Sequence, residues 1–127
     1  MSILDLLLET SSEKLSTKAT KDVEITRLSA AIGTPFVITC TALTNEQVAH
    51  VGEISKTNAQ IKLNTLLEGI RLEGKKLGNK KLMEKFGAAT PLDLLEKLFL
   101  PGELYELYAT VNQLSGYGVD AVAEIKN

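Results

Sequence analysis

Gly69-Ile70-Arg71-Leu72-Glu73-Gly74-Lys75-Lys76 comes within one residue of the phosphate-binding pattern G-x-x-x-x-G-K-[ST]. In that pattern bare backbone amides cradle phosphates and the closing hydroxyl reaches a magnesium ion. Here Lys76 stands where the hydroxyl belongs, Ile70 and Leu72 continue an apolar helical face, and no strand precedes the segment. It reads as the end of a helix, not as a nucleotide loop. Lys75, Lys76, Lys80, Lys81 and Lys85 place five positive charges within eleven residues, a density that can meet phosphates. No arginine and no aromatic ring for base stacking interleaves them, so they read as a solvated connector and the wet face of a helix. His50 is the sole histidine, which excludes a histidine-rich metal site within one chain. Cys40 sits in a β-branched run with no basic or histidine neighbour, as a buried structural thiol does. The acidic residues are scattered, and no pair is spaced as a general acid and base. No catalytic residue, cofactor site or metal site is legible.

The 127 residues suffice for one domain with its own core. With 44% hydrophobic and 24% charged residues the chain is globular in composition. A net charge of −2 argues against a general binder of nucleic acid or anionic membrane. One cysteine permits no internal disulfide and fits a reducing compartment. Residues 1–9 are apolar but lack a basic start and carry Asp5, unlike a signal sequence. No run approaches the ~20 apolar residues that span a bilayer. A soluble, intracellular protein is expected.

The elements that would position any site follow from punctuation and periodicity. Ile3–Leu8 predicts one or two helical turns with leucines on nearly every side, and polar Thr10–Lys21 predicts a flexible tether. Val23 and Ile25, with Arg27 in step, alternate with polar neighbours, Gly33-Thr34-Pro35 turns, and Phe36–Thr41 is β-branched. A two-stranded antiparallel hairpin within 22–43 is expected, joined by a loop. Thr44-x-x-Gln47 spells a capping box for a helix showing Val48, Val51 and Ile54. A second helix is predicted over 58–73, with Gly69 marking a kink or close packing. Asn79, Thr90-Pro91 and Pro101-Gly102 open three more, and Gly87, Gly116 and Gly118 close two of them. The expected fold is therefore α+β and mostly α. An N-terminal helix and tether (1–21) and the hairpin (22–43) precede a helical part (44–127) of about five helices, all in one domain.

These short helices carry more apolar surface than they can hide among themselves. Phe86, Leu94, Leu98, Phe99, Leu100, Tyr105 and Tyr108 need cover, which either the hairpin and central helices or an apolar helix of a partner supplies. Tyr117 joins them as an interface candidate, a large apolar body with a polar tip. Ile3, Leu4, Leu7 and Leu8 allow the same two readings: docking on their own core, or binding a neighbouring copy or a partner across the tether. A helix-turn-helix reading of the two helices around Gly87-Ala88-Ala89 fails, because the second helix is leucine-rich with a single lysine.

The segments VEITRLS (23–29), GTPFVITCTALT (33–44), LLEGI (66–70) and 82–127, with its FGAATP and LFLPGE turns followed by LSGYGVDAV, resemble the XkdN-like tail assembly chaperones of long-tailed phages and defective prophages of Gram-positive bacteria. The likeness spans roughly residues 20–127; Lys56–Lys62 and the Lys75–Lys80 connector depart from the family pattern. The resemblance implies a non-enzymatic protein of the host cytoplasm that binds the tape measure protein. It would keep that helical rod soluble until tail tube subunits polymerise around it, and be absent from the finished virion. It also implies as partners the tail tube protein and a frameshift-extended form of the chain. Ile125-Lys126-Asn127 can be encoded ATA-AAA-AAC, which contains a slippery heptamer. Homo-oligomerisation is compatible with all of this. Two alternatives stay open on sequence: a tail or head-completion subunit retained in the virion, and a small nucleic-acid-binding regulator using the lysine cluster.

Overall fold

A computed structural model describes residues 2–118 and 120–125. Lys126 and Asn127, and with them the proposed slip site, lie outside the described residues. Helix starts fall where the sequence puts hydroxyl and amide caps. Thr44 and Gln47 form a reciprocal capping box, the Gln47 amide donating to Thr44 Oγ1 at 3.1 Å and the Thr44 amide to Gln47 Oε1 at 2.9 Å. Asn79 accepts from the Leu82 amide at 3.1 Å, and Thr90 accepts from the Asp93 amide at 3.1 Å with Pro91 next in line. Gly87 adopts φ +64°, the left-handed conformation that ends a helix with least strain.

In chain order the elements are α1 (Ile3–Glu9), α2 (Ser12–Ser16), β1 (Thr20–Glu24), α3 (Thr26–Ile32), β2 (Val37–Thr41), α4 (Asn45–Ile54), α5 (Asn58–Gly69), β3 (Ile70–Arg71), α6 (Lys80–Phe86), α7 (Pro91–Leu98) and α8 (Pro101–Leu114). The α+β, mostly helical class is as expected, and five helices follow β2. Helix α1 was expected as well, whereas α2, α3 and the third strand were not anticipated.

The sheet runs β1-β2-β3, antiparallel throughout, with Val23 opposite Ile38 and Cys40 opposite Ile70. The expected hairpin is real as a pairing, but its connection is helix α3 instead of a loop. Pairing persists to the Ile25 amide, which donates to Phe36 O at 3.0 Å, and the chain then coils. Leu28 is buried on one side of α3, and Gly33 at φ +78° terminates it. Arg27 therefore belongs to a helix, not to a strand. The helix expected over 58–73 stops at Gly69, because Ile70 is more favourably placed as a fully buried partner of Cys40 in β3. Glu73 and Gly74, at φ 51° and 79°, then make a two-residue turn that bridges Leu72 to Lys75. The tether is also more ordered than expected: Ser11 caps α2, and Thr20–Lys21 already pair with β2.

The core lies where α8 packs on α5 and β2, and α7 also packs on α5. Ile38, Leu66, Ile70, Leu94, Leu95, Leu107 and Val111 are its fully buried large side chains. Phe36 and Phe99 meet edge to face at a centroid distance of 6.4 Å. Gly69 lets α5 press on α8: a methyl group there would lie 2.6 Å from Val111 Cγ1. Of the kink or close packing expected at this glycine, close packing is what the structure uses.

Candidate partner-binding surface

Helix α8 organises the candidate surface. Leu104, Leu107 and Val111 recur at three- and four-residue steps and anchor it in the core. Its start is fixed by one charged corner. Glu103 accepts two bonds from Arg27, Nε at 3.0 Å and Nη2 at 2.9 Å, and a third from the Leu100 amide at 2.8 Å. Arg27 Nη2 also donates to Leu98 O at 2.8 Å, so α3, the end of α7 and the start of α8 share one guanidinium. The hydrogen bonds from Arg27, then the Leu100 amide, hold the Glu103 carboxyl below its ordinary value against the opposing effect of burial.

Two apolar openings flank α8. The first is a groove of about 610 Å³ between β1 and α8, floored by Val23, Ile25, Leu100 and Leu107 and rimmed by Lys21, Glu24, Glu103 and Glu106. The second, about 350 Å³, lies among α4, α5 and the end of α8, where Leu43, Val48, Ile61, Tyr108 and Tyr117 meet around Gly52. The Lys62 ammonium stands 6.0 Å from the Tyr108 ring centroid, within cation–π range.

The residues expected to contact a partner divide sharply. Leu94, Leu98 and Phe99 are buried, so this fold does not offer them at its surface; α5 and α6 pack on α7, and Phe36 meets Phe99. Phe86 and Tyr108 are half-buried against the same core. Leu100, Tyr105 and Tyr117 are exposed by 50%, 59% and 60%. Leu100 opens into the first groove, while Tyr108 and Tyr117 come together in the second. Ile3, Leu4, Leu7 and Leu8 lie on an α1 none of whose residues is buried. Val23, Ile25, Glu106 and Leu107 were missed as groove residues. Leu100, Glu103 and Leu107 share one flank of α8 by their spacing, a signal that was available; the approach of β1 was not.

The chemistry-bearing residues fall elsewhere. The 69–76 segment is a helix end, a strand and a tight turn, which leaves no cradle of amides for a phosphate. His50 is exposed on α4. Cys40 is fully buried and its thiol is pushed up to about 11, chiefly by that burial. Helix α7 turns Leu94, Leu95 and Leu98 into the core and leaves Asp93, Glu96 and Lys97 outward, a face acidic on balance and unsuited to a DNA groove.

With this geometry in view, the match to a family model is informative: the model described as phage XkdN-like tail assembly chaperone protein covers residues 4–126. The chain belongs to the phage XkdN-like tail assembly chaperone family. Comparison with curated proteins and with solved structures returns no match.

Proposed function

We propose that the chain binds apolar helical stretches of the phage tape measure protein and keeps that protein soluble in the host cytoplasm until the tail tube replaces it. The observation that carries this reading is the apolar groove of about 610 Å³ beside α8, onto which half-exposed Leu100 opens; Tyr105 is exposed on another side of the same helix. An open groove with an apolar floor and charged rim is the form that receives one face of an amphipathic helix. Its rim is acidic on balance, Glu24 and Glu106 against Lys21, with Glu103 already neutralised by Arg27. Basic residues flanking the apolar stripe of the incoming helix would therefore fit best.

The mechanism is passive. Each contact is modest, but many copies along one long rod act together. Release requires no energy source if tube subunits compete for the same apolar stripe. The protein then leaves as the tube grows and is absent from the virion, unlike a subunit retained in the tail or head.

Leu100→Asp and Tyr105→Asp test the surface. Both side chains are at least half exposed, so thermal stability should stay within about 0.5 kcal/mol of the parent. Capture of the tape measure protein should fall roughly tenfold or more for the groove variant, Leu100→Asp. Undiminished capture by both variants would remove α8 as the binding surface.

A further inference from the structure

Helix α1 is apolar on most sides, and none of its side chains is buried among the described residues. It has seven residues, a Ser2–Asp5 capping box and no buried side chain; Ile3 is 84% exposed and Leu7 53%. Helices below about 12 residues are marginal alone in water, so α1 gains its stability from whatever it packs on. At about 100° per residue, Ile3, Leu4, Leu6, Leu7 and Leu8 sweep an arc of about 200°, with Asp5 and Glu9 on the remaining side. Such a helix suits a trough with an apolar floor and a basic wall.

The described residues form a trough of that kind. The turn after β3 and the start of α6 enclose about 640 Å³ around Leu72, Leu77, Asn79 and Leu82, with Lys75 and Lys76 on the lip. Lys80 and Lys81 lie exposed on the adjoining α6. Lys76 is paired with Glu68 at 3.2 Å. Against Glu73, this leaves Lys75, Lys80 and Lys81 as a positive excess beside the apolar floor. The groove between β1 and α8 has the opposite balance and would repel Asp5 and Glu9.

We propose that α1 of one copy docks in the Leu72–Leu82 trough of a second copy, its leucines on the floor and Asp5 and Glu9 toward the lysines. The lysine cluster then serves self-association. Each copy carries one helix and one trough, so docking either closes reciprocally as a dimer or continues head to tail. The proposal is independent of what the α8 surface binds.

The test uses the full chain and two differently tagged variants, Leu8→Cys in one and Leu82→Cys in the other, mixed under mild oxidation. Cys40 is fully buried and does not compete. The expected result is a disulfide-linked pair carrying both tags, abolished by adding Leu4→Asp and Leu7→Asp to the first chain. Sedimentation should show association weakened about a hundredfold by those two changes, the loss of two buried leucines, with the melting temperature of the core unchanged. Glu9→Lys should weaken association, as should Lys80→Glu with Lys81→Glu, and combining them should restore it. A chain that stays monomeric at all concentrations overturns the proposal. So does the absence of any disulfide-linked pair carrying both tags, or an association indifferent to the charge reversals.

Discussion

Gly69→Ala is the sharpest perturbation of the packing that sets α8. The added methyl would sit 2.6 Å from Val111 Cγ1, 3.0 Å from Cγ2 and 3.4 Å from the Thr41 carbonyl oxygen. Val111 is fully buried and β-branched, so it has no spare rotamer into which to retreat. Overpacking of this kind costs about 1–3 kcal/mol. Replacing glycine within a helix returns roughly 0.5–1 kcal/mol, and less at the last residue of α5. The net expectation is a loss of about 1–2 kcal/mol, or a fall of about 3–10 °C in Tm for a chain of this size. Urea and thermal denaturation followed by circular dichroism read both. Val111→Ala removes the obstructing methyls, so the double variant should be less destabilised than the sum of the two single ones by about 0.5 kcal/mol or more. A Gly69→Ala protein as stable as the parent, or strictly additive effects, would refute the close-packing argument.

Three further outcomes follow from the same structure. The folded-state pKa of Glu103 lies below the ordinary 4.5, so its stabilising effect is complete above that value and is lost as pH falls through the folded pKa. The Tm gap between the parent and Glu103→Gln should thus be widest near neutrality and shrink on acidification below about 4.5; a gap that widens in acid would contradict the Arg27 pairing. Cys40 should resist a disulfide reagent in the native protein and react at once in denaturant, because its thiol is fully buried and pushed up to about 11. Mass spectrometry of purified virions should find tail proteins but not this chain, whereas stoichiometric recovery would favour a retained subunit.

The helical part was legible because its signals are local. Thr44, Asn79, Thr90 and Pro101 mark starts, and each marks one in the structure. The sheet was half legible. Val23 and Ile38 carry a β pattern, but α3 depends on burying Leu28 and on the left-handed turn at Gly33, which alternation over 23–27 disguised. Ile70 misled for a related reason: its spacing from Leu63 and Leu66 suits a helix, while its tertiary partner is Cys40. At the candidate surface, sequence showed an excess of apolar side chains without showing which of them the neighbouring elements would cover. Burial of Leu94, Leu98 and Phe99 and exposure of Leu100 and Tyr105 are decided by how α7 and α8 lie against α5 and β2, a long-range arrangement.

Co-expression of the chain with the tape measure protein of the same phage tests the central claim most directly, with soluble tape measure protein as the readout. The expected result is that the tape measure protein stays soluble and co-purifies with the parent chain, and loses most of that protection with Leu100→Asp. Equal solubility with and without the chain, and no co-purification, would contradict it.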